Sequence, residues 1–373
     1  MKVLRYCLPR DPVMRFIVFS VIFAPVFPKL ATTVNNDSRE FARRHGQFGT
    51  ENEAELSERL AAEYGIYVNG TFVPPEPNPV PLLAVLFLVL SLIALVANVV
   101  LLVYIIFHKL YKNFISSHFI AHLCITNMVA LFVLVPLLLY NTWTGMNIWN
   151  DNHLLCRAQA LITCAVWTVM QFMMLCIAGV HLLTFARIHY EQLFGLSPNM
   201  LCILSWVIAF ALALPCMTNG HIVVYDRRLH HCIWGLSDSG LKFLTYLVIL
   251  GVIFPSALSY YAYIRVLGIL YHSPIVFQSI GLYKSRFLVY AFLLSPFYQL
   301  PFFVITFTGT YRHEINSWLP VSFMMVAYTT LLISPILYGA SLFLMKEEDQ
   351  ALTARAHKST NSYQAAHLPG QHL

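Results

Sequence analysis

Seven long apolar segments, separated by short polar stretches, dominate the chain after residue 80. Each is long enough to cross roughly 30 Å of hydrocarbon as a helix. A helix also satisfies its own backbone hydrogen bonds, which a bilayer requires. The pattern therefore predicts an all-α membrane protein, a seven-transmembrane helix bundle over residues 80–345. The predicted spans are residues 81–107, 118–140, 157–185, 200–218, 241–270, 286–308 and 318–345.

The residues before the first span have the composition of an extracellular segment. The apolar stretch 16–27 follows several basic residues and is too short to span, so residues 1–31 resemble a secretory signal peptide. An uncleaved hydrophobic segment is the alternative. Residues 32–79 are polar and lack helical or strand periodicity, apart from a helix near 51–64, so we expect a flexible tail. Two glycosylation sequons fall in this tail, at Asn36 and Asn69.

The distribution of Lys and Arg orients the predicted bundle. Most of those at loops and helix ends fall on one side, which the positive-inside rule assigns to the cytoplasm. The tail that carries the sequons then lies outside, and residues 346–373 form a cytoplasmic tail. We expect a multi-pass protein of the plasma membrane with membrane lipid around it. The formal charge of +6 forms no dense basic patch, so nucleic acid is not expected as a partner.

Composition and short motifs argue against an enzyme. Apolar residues make up 58% of the chain and charged residues 11%, a balance typical of a bilayer protein. CxxC, HExxH, GxGxxG, GxxxxGK and GxSxG patterns are all missing from the sequence, so we expect no cofactor and no metal. His118 and His122 lie four residues apart and could share a metal, but two His are too few. A seven-helix membrane hydrolase or transporter is thus the weakest alternative.

Single residues along the spans match, in order, the pattern of a known receptor family. Each match is weak by itself, and their order gives them weight. They are Asn98 in span one, Leu123-Cys-Ile-Thr-Asn127 and Pro136 in span two, Cys156 at the start of span three, Trp206 and Pro215 in span four, Cys232 in the next loop, Pro255 and Tyr263 in span five, Pro301 in span six, and Ser334-Pro335-Ile-Leu-Tyr338 in span seven.

With these residues the chain resembles the rhodopsin-like, class A family of G-protein-coupled receptors, as a divergent, orphan-like member. The resemblance implies a receptor that transduces an extracellular ligand signal to a heterotrimeric G protein. Cys156 and Cys232 are the only Cys expected on the extracellular side after span one, so a disulfide between them is favoured in that oxidising compartment. Asn98 and Asn127 are polar groups in hydrocarbon and should face the bundle interior as a structural clamp.

The end of span three departs from the family pattern. The family's Asp-Arg-Tyr falls on Val180-His181-Leu182, so the Arg that contacts G proteins is missing. A protonated His181, or Arg187 further on, could substitute, whereas an interfacial histidine and a snorkelling flank charge are the alternative roles. The missing Arg leaves open a non-signalling receptor-like protein, a partner or decoy. The other residues predicted to form the coupling switch are Tyr263, Pro301, Pro335 and Tyr338.

A ligand pocket is predicted within the bundle. Thr163 stands where amine receptors hold an Asp, and span seven has no Lys for a retinal Schiff base. The remaining candidates to line the pocket are polar but uncharged, and such groups suit a neutral small molecule, a lipid or a peptide end. Helix packing is the alternative role for each of them. The predicted lining residues are Gln159, Thr163, Tyr298, Gln299 and Tyr328, with apolar walls of Trp167, Phe302 and Phe303.

Overall fold

A computed structural model of the chain describes most of the predicted bundle. Its described residues are 67–68, 71–72, 79–149, 152–186, 188, 190, 195–235, 237–272, 289, 292–293, 303–304, 306 and 318–366. Within these residues, six helices are long and apolar enough to cross a membrane. The predicted signal peptide, the predicted glycosylation sites Asn36 and Asn69 and most of predicted span six lie outside the described residues.

The six long helices follow the predicted spans, and the first has the predicted bounds. α1 begins with Pro81 in its first turn, where a missing N–H costs no helix hydrogen bond. α4 begins behind Ser197, whose side chain accepts a hydrogen bond from the Met200 N–H. The helices are α1 Pro81–Phe107, α2 Ser116–Thr144, α3 His153–Ala186, α4 Pro198–Thr218, α5 Asp238–Val248 continuing through Ile249–Ile253 and Phe254–His272, and α6 Trp318–Tyr328 continuing as Thr330–Ala366.

Two of the helices contain a π-helical turn just before a proline. In α2 the turn is Ala130–Leu134, ahead of Pro136, and in α5 it is Ile249–Ile253, ahead of Pro255. Proline has no N–H and its ring crowds the preceding turn, so the backbone there widens. Pro136 and Pro255 thus each lie beside a local widening of the helix.

The described chain is mostly helical, as predicted, but two short segments form strands that the sequence analysis did not predict. β1 Tyr67–Val68 pairs with β2 Thr71–Phe72, and β3 Val223–Asp226 pairs with β4 His231–Trp234, both antiparallel. The expected tail 32–79 thus contains paired strands. An Asn-Gly pair stands between β1 and β2 in the sequence and is a strong two-residue hairpin signal. The alternation of apolar and polar residues could not reveal β1 and β2, because two residues are too few to show it.

The last helix is longer than predicted. Span seven was expected to end at residue 345, but α6 continues to Ala366, through most of the predicted tail 346–373. Residues 346–366 are rich in Ala, Glu, Gln and Lys, which favour helices, and the next Pro is Pro369. The apolar pattern marks where a helix leaves hydrocarbon and does not mark where the helix ends.

α3 is the central helix of the described bundle. It contacts α2, α4, α5 and the β3–β4 hairpin, whereas α1 packs on α2 and α6. In its most apolar segment 67% of α3 is buried, against 28% of α1. The outer surface is apolar, with Leu82 80% exposed and Phe107 79% exposed. A surface of this kind is stable in a bilayer and costly in water.

The start of α5 is packed closely against the end of the hairpin. Ser237 caps the helix by accepting a hydrogen bond of 3.1 Å from the Gly240 N–H. A Cβ at Gly240 would overlap the carbonyl oxygen of Gly235, so a glycine is required at this position. This contact holds β4 at a fixed distance from the bundle.

Candidate functional site

A disulfide ties the β3–β4 hairpin to the central helix. It joins Cys156, in the first turn of α3, to Cys232 in β4, with the two Cα atoms 5.3 Å apart. The disulfide expected from the sequence is therefore present. The four residues of β4 are all buried, so the bridge holds a strand inside the end of the bundle.

The residue before Cys232 is clamped by two side chains of α3. Gln159 Nε2 lies 2.9 Å from His231 Nδ1, and Thr163 Oγ1 lies 3.1 Å from His231 Nε2. Trp149 Nε1 donates to Gln159 Oε1 at 2.6 Å. That bond orients the amide, so Gln159 Nε2 donates to Nδ1 and the His231 Nε2–H donates to Thr163. We call Gln159 and Thr163 the azole clamp.

The clamp requires a neutral imidazole. One ring nitrogen must accept and the other must donate, whereas an imidazolium has two donors. His231 is fully buried, and this burial lowers its pKa from 6.5 to about 3. The hydrogen-bond geometry and the burial of His231 thus both favour the neutral imidazole.

This protonation state makes stability depend on pH below about 6.5. The unfolded chain binds a proton on His231 near 6.5 and the folded chain near 3, so between these values the unfolded state binds more protons. The unfolding free energy should therefore fall toward acid, by up to about 1.4 kcal/mol per pH unit from this residue. Thermal unfolding of His231→Gln should show a smaller acid effect than the wild type. The exposed His221→Gln serves as control, and equal acid effects in all three proteins would contradict this account.

Aromatic rings pack beneath the clamp. Trp234 of β4 stacks on Phe303, with ring centroids 6.3 Å apart and an angle of 9°. Trp167 meets the edges of Phe303 and Tyr328, each at 5.8 Å. In the part of the chain that the structure describes, the Tyr328 hydroxyl is buried without a hydrogen-bond partner. We call Trp167, Phe303 and Tyr328 the aromatic floor.

The residues predicted to line a ligand pocket fall into two groups, those in contact in the structure and those outside its described part. Gln159, Thr163, Trp167, Phe303 and Tyr328 come together, and Tyr298, Gln299 and Phe302 lie outside the described residues. Of the polar groups expected to bind a ligand, Gln159 and Thr163 are hydrogen-bonded to His231. Sequence reasoning missed His231, Trp234 and Trp149. The signal was a His and a Trp beside Cys232, a cysteine predicted to form a disulfide.

A second polar cluster joins three helices deeper in the bundle. Asn127 Nδ2 donates to Asn98 Oδ1 and to Ser334 Oγ, both at 2.9 Å. Asn98 Nδ2 donates to the Leu331 carbonyl at 2.8 Å. Pro335 has no N–H, so the carbonyl four residues earlier loses its helix partner, and Asn98 replaces it. We call Asn98, Asn127 and Ser334 the polar clasp.

Aromatic side chains close the opposite end of the bundle around His181. Tyr263 Oη lies 3.5 Å from His181 Nδ1, and the Tyr263 and Tyr338 hydroxyls also hydrogen-bond. Phe292 stacks on Tyr263 and on Tyr338, with 5.0 Å between ring centroids in each pair. We call these four residues the aromatic stack. The aromatic stack connects α3, α5 and α6 with Phe292, which belongs to predicted span six.

The aromatic stack contains three of the residues predicted to form the coupling switch. His181, Tyr263 and Tyr338 come together, Pro335 lies inside α6, and Arg187 and Pro301 lie outside the described residues. His181 is 5% exposed among aromatic rings. A buried cation in such surroundings is costly, so of the two roles considered for His181 the protonated one is not favoured while the stack is closed.

The described residues show no group of three or more His, Cys, Asp or Glu that could hold a metal ion. His118 and His122 are both partly buried on α2, and no third possible metal ligand joins them among the described residues. The chain matches no protein-family model and no curated protein. Any family assignment therefore depends on the residues described above.

Proposed function

We propose that the chain is a G-protein-coupled receptor of the rhodopsin-like class, which transduces an extracellular signal to a heterotrimeric G protein at the plasma membrane. The proposal includes a seventh span at 286–308 and places the β3–β4 hairpin outside the cell. The supporting observation is the arrangement of α3, which carries the azole clamp near one end and His181 of the aromatic stack near the other. Cys156 and His181 are 25 residues apart, roughly 38 Å along a helix.

Such an arrangement can carry a signal across the bilayer. A change at the clamp shifts or rotates α3, and the same helix contributes a ring to the stack at its other end. The stack fills the space between helices that a G protein would have to enter. Opening it exposes His181, Tyr263 and Tyr338 to the cytoplasm. The polar clasp holds α1, α2 and α6 together while the other helices move.

Basal G-protein activation of His181 variants tests this function. His181→Arg introduces a cation that cannot be buried in the stack without a partner, so it favours the open end and supplies the missing charge. We expect basal activation roughly threefold to tenfold above the wild type. His181→Ala should lie at or below the wild type, because it removes the polar group at the coupling position. Sensors for the major G-protein classes, normalised to surface expression, provide the measurement.

Thr184→Arg is the matched control, since it adds the same charge on the exposed side of α3. It should leave basal activation unchanged. Silence of all variants at normal surface expression would exclude coupling by this route and favour the second candidate. That candidate is a receptor-like protein that does not signal, a partner or decoy. One observation supports it: the position expected to hold Arg is occupied by a histidine buried in the closed stack.

A further inference from the structure

The strand β4 occupies the predicted ligand pocket. His231 fills the azole clamp, and Trp234 covers Phe303 of the aromatic floor. Both side chains are buried, His231 at 0% and Trp234 at 2% exposure. The strand therefore makes the contacts that a diffusible ligand would otherwise make.

The clamp has the donor and acceptor pattern of one neutral azole ring. Gln159 and Thr163 lie four residues apart on α3, so they project from the same face one turn apart. One presents an N–H donor and the other a hydroxyl oxygen that accepts, because the Thr163 hydroxyl donates to the Gln159 carbonyl at 2.9 Å. A carboxylate offers only acceptors and an ammonium only donors, so neither can satisfy both sides.

The hairpin is held in place at two further points. The Cys156–Cys232 disulfide anchors the residue next to His231, and Asn141 Nδ2 donates to the His230 carbonyl at 3.1 Å. The hairpin turn is itself ordered by Asp226 Oδ1, which accepts from the Arg228 and Leu229 N–H groups at 3.0 and 3.3 Å. A tethered ring is present at a high effective concentration without any free ligand.

We propose that the azole clamp and the aromatic floor form a binding site for an imidazole-type heteroaromatic ring next to a flat aromatic ring. In the resting protein the site is filled by the chain's own His231 and Trp234. A diffusible ligand of this chemistry, such as a small azole or a peptide end with His and an aromatic residue, displaces the hairpin. This regulatory part depends on the proposed function. The aromatic stack is closed in the same structure in which the hairpin fills the site, so the hairpin acts as an internal inhibitor.

Replacing His231 with alanine and adding free imidazole tests the site without reference to signalling. The variant leaves a ring-sized space beside Gln159 and Thr163. About 10 mM imidazole, a concentration suited to so small a ligand, should raise the melting temperature of purified full-length His231→Ala by about 2–5 °C and leave the wild type unchanged. The exposed His221→Ala in the same loop is the control and should not respond. In His231→Ala/Thr163→Val, which lacks the clamp's acceptor, imidazole should not stabilise either.

If imidazole does not stabilise His231→Ala, the proposed binding site is contradicted. If this variant does not fold, the near-isosteric Thr163→Val provides the test: a melting temperature equal to the wild type would overturn the clamp, and a fall of several degrees supports it. The regulatory part has a separate readout. Basal G-protein activation should rise roughly threefold to tenfold in His231→Ala and fall again with imidazole. If imidazole stabilises His231→Ala but no basal G-protein activation is measured, the result supports the azole site and counts against the proposed function.

Discussion

Replacing Cys232 with alanine is expected to remove the protein from the cell surface. The disulfide joins residues 76 positions apart, so its loss frees a long loop in the unfolded chain and is expected to cost about 2–5 kcal/mol. The same change releases β4, whose residues are all buried. Flow cytometry of an epitope-tagged chain should show retention inside the cell, and purified protein should melt at a much lower temperature.

Two further variants distinguish the disulfide from a general effect of cysteine substitution. Cys156→Ala should match Cys232→Ala, and the double variant should be no worse than either one, because all three lack the same bond. Cys176→Ala removes a free, half-buried thiol from α3 and should reach the surface normally. Normal trafficking of Cys232→Ala would be incompatible with a structural role of the bridge.

Replacing Asn98 with leucine is expected to destabilise the bundle by roughly 1–3 kcal/mol. The change removes the donor to the Leu331 carbonyl and the acceptor for Asn127, and both partners stay buried. The expected loss comes from the hydrogen bonds removed from these buried partners. Thermal unfolding in detergent, with surface expression alongside, measures it.

Val99→Leu is the matched control for this variant. Val99 is the next residue of α1 and is 41% exposed, so a larger apolar side chain there meets lipid. Its melting temperature should stay close to the wild type. An Asn98→Leu protein as stable as Val99→Leu would mean that the polar clasp contributes little to holding α1, α2 and α6 together.

The local features of the chain were predictable because their causes are local. A span needs about 20 apolar residues, and this requirement places α1 at 81–107 from composition alone. The widened turns of α2 and α5 lie beside Pro136 and Pro255, since the missing N–H acts on the adjacent turn. The Cys156–Cys232 pair followed from the compartment in which each cysteine was expected. Asn98 and Asn127 were expected inside because amide groups are costly in hydrocarbon.

The length of α6 and the strands were not predictable from hydropathy. Hydropathy reports the boundary of the hydrocarbon, and α6 continues past that boundary to Ala366 because its residues favour a helix. β3 and β4 have no clear alternation, since all four residues of β4 are buried. A strand that is buried on both sides looks like any other short apolar segment.

The contents of the predicted pocket depended on contacts between distant residues. Gln159 and Thr163 were recognised as uncharged polar groups in a helix, and their chemistry follows from the sequence. Their partner, His231, lies 72 and 68 residues away in a different element. Which side chain reaches a buried donor depends on how the helices pack and where the disulfide holds the hairpin. The sequence alone thus identifies uncharged polar groups on α3, and the packing of the folded chain determines that His231 is bonded to them.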